Sequence, residues 1–326
     1  MDFKAYWRSH VKPAKPPQRV SLFDQEVDWG FHIYALGVYL MDLGLADEVE
    51  FWDYTEERST HYLANGIMRV TFHNEDDVKA YLDNYGYPDL FMNHGREGLP
   101  MVQYLKGRCF TVHVPALKSG LKRLDNYGAD CYLVDSEEFL DDRSMMYVPV
   151  VNTKKIFPNG SAKQRDFIYV AANYHGKRHD IIINSVRGTP LTGHFHPVTP
   201  TELDLSGTNI TTSQWNEADL VDLMRTSRFA AYPADDASSP AATFECVAAG
   251  LPIILNQNLR GGKQLVVPGI TGEIASETNY YEAMCHVLSN LHNYRPREYF
   301  EEHWDTVETL NRYLWFFEKM GWKKCS

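Results

Sequence analysis

The sequence predicts an α/β protein made of two Rossmann-like domains, each with a parallel sheet. The chain has 326 residues and a domain typically has about 150, so two domains are expected. Apolar strand-like runs alternate with helix-like runs in both halves, which predicts parallel sheets covered by helices on both faces. The segment Val148–Gly160 is rich in proline, asparagine and glycine and is typical of a linker. We therefore place the domains at residues 1–157 and 158–326.

The first domain is predicted from six apolar runs and two helices. Helix Phe31–Leu43 has helical apolar spacing and ends at Gly44. Helix Asn74–Asn84 carries acidic residues in its first turn, where they complement the helix dipole. The strands are expected at Arg19–Glu26, Glu48–Tyr54, Ile67–Phe72, Asp89–Met92, Cys109–Val114 and Cys131–Val134.

The second domain repeats this alternation. Asn216 is the predicted N-cap of helix Glu217–Arg225, and Gly250 ends the predicted helix Pro240–Ala249. A further helix is expected from His179 to Val186. The strands are expected at Asp166–Ala171, Pro190–Thr192, Phe229–Tyr232 and Leu251–Leu255.

Composition and charge disfavour several classes of protein. The formal net charge is −11, and an acidic surface repels nucleic acids, so we expect no nucleic-acid partner. Five cysteines occur without a CxxC pair, which disfavours structural zinc and fits free thiols in a reducing compartment. The basic, proline-rich residues 1–18 lack the apolar segment of a secretory signal and are expected to make at most a peripheral membrane contact. We therefore expect a soluble, cytoplasmic protein.

Three well-known motifs are missing from the sequence. No GxGxxG follows the first strand of either domain, which disfavours a dinucleotide dehydrogenase. There is no phosphate-binding GxxxxGK[ST] loop and no GxSxG elbow of hydrolases. Candidate binding residues are therefore sought at the carboxyl ends of strands, where open α/β sheets bind their ligands.

In the second domain, the candidates are a helix start and a cationic pair. Ser239 caps a helix that begins at Pro240, and the N–H groups of a helix start suit a phosphate. Glu245, about a turn and a half later, can accept hydrogen bonds from a ribose diol. Lys177 and Arg178 follow the first strand and can neutralise a diphosphate. The alternatives left open are a plain helix cap, a solvated glutamate and a solvated basic loop.

In the first domain, small or polar residues lie at the ends of four predicted strands. These residues are Gly30, His94, His113 and Ser136. Two histidines at neighbouring strand ends favour a shared site. A zinc pair is disfavoured because no acidic or cysteine ligand lies at a fitting spacing.

Two further polar pairs of the second domain have an open role. Asp235 and Asp236 can bind Mg²⁺, contact sugar hydroxyls or have no functional role. His194 and His196 are interpreted as a loop feature.

The order of these features resembles the retaining glycosyltransferases of family 4, which have the GT-B fold. Phe244–Leu255 is similar to the second half of the family's E-x7-E motif, with Glu245 at the second glutamate. Gln264–Ala275 is similar to its glycine–x–threonine–glycine turn, and Ala129–Phe139 to its AD…S strand. Asp89–His94 is similar to the strand whose last histidine lines the active site.

The sequence also departs from the family pattern. Ala237 stands where the family has the first glutamate of the motif, and the adjacent Asp236 can replace that carboxylate. No arginine precedes Lys177 at the family's spacing, so Arg178 is expected to take its role. Of the family's N-terminal glycine pair, only Gly30 is present, after Trp29.

The resemblance implies a donor site in the second domain, facing a cleft between the two parallel sheets. Lys177 and Arg178 would stabilise the diphosphate leaving group electrostatically. The helix start Ser239–Thr243 would hold a phosphate, and Glu245 would bind the ribose.

The resemblance implies catalytic roles for His94, which would face the sugar, and for Asp236. Gly30 would let the backbone approach the donor or acceptor closely. The reaction would move a hexose from a GDP-mannose or UDP-glucose type of donor to a glycan or other hydroxyl acceptor, with retention of configuration. The family needs no cofactor and no bound metal.

The resemblance further implies that the final helix, about residues 300–326, crosses back onto the first domain and that the cleft closes on the donor. Three alternatives stay open. They are a sugar-nucleotide epimerase of the same fold, a non-catalytic nucleotide-sugar-binding protein, and a DNA-base glucosyltransferase, which the acidic net charge disfavours.

Overall fold

The computed structural model describes residues 19–23, 31–42, 44, 46–55, 59–62, 66–95, 98–115, 127–199, 201–235 and 241–322. These residues form two compact units. The first holds the described residues of Met1–Val134, Phe139–Met146 and Leu310–Ser326, and the second those of Asp135–Glu138 and Tyr147–Thr309. The boundary after residue 157 remains a sequence-based prediction.

The first unit is built on a sheet whose order is β3-β4-β2-β1-β5-β6-β7-β8. All neighbouring strands are parallel except β3, which is antiparallel to β4 at the edge. The strands are β1 Arg19–Phe23, β2 Glu48–Tyr54, β3 Ser59–Tyr62, β4 Met68–Phe72, β5 Leu90–His94, β6 Phe110–Val114, β7 Cys131–Val134 and β8 Ser144–Met146. The edge strands β3 and β8 are not among the predicted strands.

Three helices of the first unit are α1 Phe31–Asp42, α2 Glu75–Tyr85 and α3 Leu99–Leu105. The side chain of Asn74 caps α2, accepting hydrogen bonds from the N–H groups of Asp76 at 3.0 Å and Asp77 at 3.1 Å. This cap explains why α2 starts one residue later than predicted, because an N-cap residue lies outside the helix. Helix α3 is not among the predicted helices.

A buried carboxylate joins β1, β2 and α2 in the first unit. Glu50 accepts hydrogen bonds from Arg19 at 2.6 Å, Ser21 at 2.9 Å, Trp52 at 2.8 Å and Tyr81 at 2.7 Å. Both of its oxygens are therefore satisfied, which is the condition for burying a charge in a core. Trp52, one of the largest buried side chains, packs against Phe72 and Phe91 around this network.

The second unit is built on a sheet of six strands in the order β11-β10-β9-β12-β13-β14, all of them parallel. The strands are β9 Arg165–Val170, β10 Thr192–His196, β11 Asn209–Thr212, β12 Ser227–Tyr232, β13 Ile253–Asn256 and β14 Gly272–Ala275. The direction of strand order reverses between β9 and β12. In doubly wound sheets this switch point is where ligands bind, outside the carboxyl ends of the strands.

The helices after β9 are α4 His179–Val186, α5 Glu217–Arg225, α6 Ala241–Ala248, α7 Tyr280–Ser289, α8 Pro296–His303 and α9 Thr306–Lys319. Asn216 caps α5 as predicted, accepting from the N–H of Ala218 at 3.0 Å. In α9, the ring of Phe317 lies 5.9 Å from that of Phe110, and both belong to the first unit.

The interpretation of His194 and His196 as a loop feature is wrong, because both lie in β10. Strand β10 begins where the predicted strand Pro190–Thr192 ends. Both histidines are buried. Hydroxyl groups satisfy both ring nitrogens of His194, which bonds Thr211 at 2.7 Å and Ser213 at 2.9 Å, and Nδ1 of His196 bonds Ser213 at 2.7 Å. A strand that contains such polar residues shows no continuous apolar run, so an apolar pattern does not reveal it.

No helix in the described part of the chain combines the length and the apolar character that a membrane span requires. Among the described residues, Cys109, Cys131, Cys246 and Cys285 carry free thiols, as the cysteine pattern predicts.

Candidate functional site

The loops after β9 and β12 meet at the switch point of the second sheet. The N–H of Asp235, just beyond β12, donates to the carbonyl of Gly176, beyond β9, at 3.3 Å. On the far side of β12, the buried Asn256 at the end of β13 donates to the carbonyl of Pro233 at 2.7 Å. The turn after β12 is thus hydrogen-bonded to both neighbouring strand ends.

Lys177 places a cation at this edge of the sheet. Its ammonium group donates to the hydroxyl of Tyr232 at 3.0 Å. The same ammonium lies 5.1 Å from the ring centre of Tyr174 and 5.6 Å from that of Tyr232, distances typical of cation–π contacts. Burial raises the pKa of Tyr232, so its hydroxyl stays neutral. The two tyrosines therefore hold the ammonium group of Lys177 in place.

Arg178, the next residue, makes ion pairs with three carboxylates. Its guanidinium group lies 3.0 Å from Asp180, 2.9 Å from Asp235 and 2.9 Å from Glu277. These hydrogen bonds, that of Asp180 first, raise the pKa of Arg178 despite its partial burial. Its backbone has a φ of 50° and a ψ of 45°, the left-handed conformation that side chains seldom adopt. The predicted cationic pair therefore contains two residues in very different surroundings.

Helix α6 carries the other predicted donor residues of the second unit. Thr243 is buried in its first turn, and Glu245 is half-buried two residues later. At the other end, Arg297 donates to the carbonyl of Ala248 at 2.6 Å, and Gly250 has a φ of 84° that ends the helix. The predictions for Asp236 and Ser239 lie outside the described residues.

The predicted histidines of the first unit lie on neighbouring strands. Strand β5 pairs with β6 so that Asn93 stands opposite His113 and His94 opposite Val114. The side-chain amide of Asn93 lies 2.9 Å from Nδ1 of His113. Because an amide nitrogen only donates, this Nδ1 accepts, and we assign the proton of the neutral ring to Nε2.

His113 is buried, whereas His94 is half-buried at the end of β5. Burial first, and then the neighbouring His94, lower the pKa of His113 to about 3. His113 is therefore neutral at physiological pH. His94 is the more accessible of the two. The prediction for Gly30 lies outside the described residues.

No group of three or more histidine, cysteine, aspartate or glutamate side chains is placed to hold a metal ion, within the ranges that the structure describes.

No family model matches the chain, and no curated protein matches it. Solved structures do match. The protein HepE from Anabaena, in complex with UDP and glucose, shares 12% identity, with 93% of this chain and 99% of that chain covered and a TM-score of 0.72. The sucrose-phosphate synthase from Thermosynechococcus elongatus shares 14% identity, over 93% and 97% of the two chains, with a TM-score of 0.67. The chain has the GT-B fold.

A third GT-B structure bears on the alternatives. A protein assigned as a UDP-N-acetylglucosamine 2-epimerase from Listeria monocytogenes shares 11% identity, over 91% of this chain and 95% of that chain, with a TM-score of 0.58. Likeness at such low identities establishes the fold alone, because one fold hosts several activities. The activity has to be inferred from the site.

Several residues of this GT-B chain that shape the site were not singled out from the sequence. Tyr174 and Tyr232 contact Lys177, Glu277 pairs with Arg178, and Asn256 bonds the turn after β12. One signal was present: Asn256 is a polar residue at the end of an otherwise apolar run. The pairing of Arg178 with Asp235 had no such signal, since the two residues are 57 positions apart in sequence.

Proposed function

We propose that this chain is a glycosyltransferase that moves a hexose from a nucleotide-diphosphate sugar to a hydroxyl acceptor. The observation that carries the proposal is Lys177, whose ammonium group is held at the switch point of the second sheet. A diphosphate leaving group needs a fixed positive charge, and a cation placed in advance costs no reorganisation during the reaction. The likeness to HepE, solved with UDP and glucose, supports the same assignment.

The donor would lie across the carboxyl ends of β9 and β12. Lys177 would contact the diphosphate, and the start of α6, with Ser239 and Thr243, would hold a phosphate through its N–H groups. The half-buried Glu245 would accept hydrogen bonds from the ribose hydroxyls. Arg178 would act at the same end of the sheet, beside Lys177.

The acceptor side is assigned to the first unit. His94, half-buried at the end of β5, would face the transferred sugar. His113 would have a supporting role beside His94 and would not act as an acid, because its buried ring is neutral at physiological pH. Gly30 would allow close approach of the backbone, and Asp236 would contact the sugar. We further propose retention of configuration, a donor of the GDP-mannose or UDP-glucose type and a reaction without a metal.

Calorimetric titration with UDP, GDP and ADP tests the donor site. We expect one nucleotide to bind, and Lys177→Met and Glu245→Ala to weaken its binding. Arg187→Gln is the matched control, because Arg187 makes an exposed ion pair with Asp204 elsewhere in the same unit. If none of the three nucleotides binds the native protein, the proposed function is wrong.

Two other functions have a specific observation in their favour. The likeness to the Listeria epimerase structure favours a sugar-nucleotide epimerase. Ala237 at the position of the first motif glutamate favours a protein that binds the donor without turning it over. Incubation of the protein with the sugar-nucleotide that binds separates the three. A transferase releases the nucleoside diphosphate as the hexose passes to an added hydroxyl acceptor or to water. An epimerase produces an isomeric sugar-nucleotide, and a binding protein leaves the compound unchanged with or without the acceptor.

A further inference from the structure

Arg178 is the only residue other than glycine with a left-handed backbone in the described part of the chain. A side chain in this conformation is disfavoured, and glycine would adopt it without strain. Such strain persists where the surrounding structure requires the residue, and it often marks a functional position. The guanidinium group of Arg178 is therefore the feature that needs an explanation.

That guanidinium group joins three separate parts of the second unit. Asp180 belongs to the first turn of α4, Asp235 to the loop after β12, and Glu277 to the turn between β14 and α7. Asp180 is bound by two N–H groups, with Nε at 3.1 Å from Oδ1 and one terminal nitrogen at 3.0 Å from Oδ2. The side chain of Arg178 is only 17% exposed at the centre of this cluster.

The donor count limits what else Arg178 can bind. A guanidinium group has five N–H donors, and four of them point at the three carboxylates. A two-pronged contact with a diphosphate would have to displace at least one carboxylate. The cluster also carries three negative charges against one positive charge, which is unfavourable for an incoming anion.

We propose that Arg178 is a positioning residue that clasps the loop after β12 and the turn before α7 to the loop after β9. It acts on donor binding through Asp235, and the diphosphate contacts Lys177 instead. Asp235 immediately precedes residues 236–240, which lead into α6. The clasp therefore anchors the chain at Asp235, ahead of the start of α6. This inference rests on the proposed donor site for its effect on binding, but the clasp itself can be tested without a ligand.

Hydrogen exchange of the protein alone tests the clasp. Arg178→Lys keeps the charge but loses the planar fork, and Arg178→Gly also relieves the backbone. We expect amides at 234–235, 241–243 and 277–280 to exchange about tenfold faster in both variants, because their loops lose a shared partner. Arg187→Gln should leave these amides unchanged. Native exchange rates at all three segments in both Arg178 variants would overturn the proposal, provided that circular dichroism shows both variants folded.

Nucleotide binding tests how Arg178 acts. If Arg178 contacted the diphosphate directly, Arg178→Lys would lose the two-pronged contact as well, but Glu277→Gln would bind more tightly because a competing carboxylate is gone. The clasp predicts that Arg178→Lys binds the nucleotide about tenfold more weakly. It also predicts that Glu277→Gln does not bind more tightly, and that adding Asp235→Asn to Arg178→Lys causes little further loss.

The two proposals fail in distinguishable ways. If the native protein binds no nucleotide, the donor site is wrong, and the exchange experiment still decides whether the clasp exists. If the native protein binds a nucleotide and Glu277→Gln binds it more tightly, the donor site stands and the positioning role of Arg178 is wrong.

Discussion

The ammonium nitrogen of Lys177 lies 3.0 Å from the hydroxyl oxygen of Tyr232. Tyr232 ends β12 and Lys177 lies in the loop after β9, the two strands between which the sheet order reverses. Tyr232 thus holds a charge where a doubly wound sheet binds its ligand. Variants of Lys177 and of Tyr232 separate the effect of the charge on binding from the effect of the residue that holds it.

Lys177→Met is expected to weaken nucleotide binding by tenfold or more, because a hydrogen bond to a charged group contributes roughly 1.5–3 kcal/mol. Tyr232→Phe keeps the ring and removes only the hydroxyl, so its loss should be smaller. Calorimetric titration with the nucleotide that binds measures both. Equal binding by Lys177→Met and the native protein would remove Lys177 from the donor site.

His113 predicts a particular dependence of stability on pH. An unfolded histidine has a pKa of about 6.5, whereas the folded pKa of His113 is lowered to about 3. Between these values the unfolded chain binds the extra proton. The free energy of unfolding should therefore fall as the pH falls from about 6.5 towards 3, by at most about 1.4 kcal/mol per pH unit from this residue.

Urea unfolding at pH 7 and pH 5 measures this contribution. In His113→Gln, the loss of stability between the two pH values should be smaller than in the native protein by about 2 kcal/mol at most. His292→Gln, at an exposed position, should keep the native difference. If His113→Gln shows the native pH dependence, the residue is not buried as a neutral ring.

The substitution Glu50→Gln is expected to cause a large loss of stability, although it changes only one atom group. All four of its partners donate hydrogen bonds to it, so the amide group of Glu50→Gln would place donors against donors and leave Arg19 without its charge partner. Breaking a buried ion pair from one side typically costs about 3–5 kcal/mol. We expect that loss in urea unfolding, and little change in Glu48→Gln, at an exposed position of the same strand. A loss below about 1 kcal/mol would contradict the buried network.

Gly272 begins β14, and its position leaves no room for a side chain. A Cβ atom there would lie 1.8 Å from the carbonyl oxygen of Ile253 in β13. Gly272→Ala should therefore separate β13 from β14 and destabilise the second unit by several kcal/mol. Gly269→Ala is the matched control, because its Cβ would meet no atom within 4 Å. It should cost only about 1 kcal/mol, for its φ of 74°. Similar melting temperatures for the two variants would contradict this packing.

The fold was predictable because buried parallel strands appear in the sequence as continuous apolar runs. Strand β7, for example, spans the predicted residues Cys131–Val134, all of them buried. The strands β3, β8 and β11 lie at sheet edges and were missed. In β11, only Ile210 of the four residues is buried, so there is no apolar run to recognise. These edge strands form by pairing with the rest of the sheet, and their own residues do not indicate a strand.

The candidate site was predictable only where its residues adjoin a strand or a helix start. Lys177 and Arg178 lie in the loop between β9 and α4, and Glu245 lies on α6. Their surroundings were not predictable, since Tyr232 and Asp235 are far from Lys177 and Arg178 in the sequence and become their neighbours only in the folded sheet. The pairing of Asn93 with His113 arises in the same way, from the register of β5 and β6.

The unequal burial of the thiols makes one cysteine a natural attachment point. Burial raises the pKa of Cys109 to about 12 and raises the pKa values of Cys131 and Cys246 as well, so these thiols stay protonated and unreactive at pH 8. Cys285 is partly exposed on α7, the helix that follows Glu277. Of the cysteines that the structure describes, a maleimide dye should therefore mark Cys285 first, on the helix next to the turn that Arg178 holds.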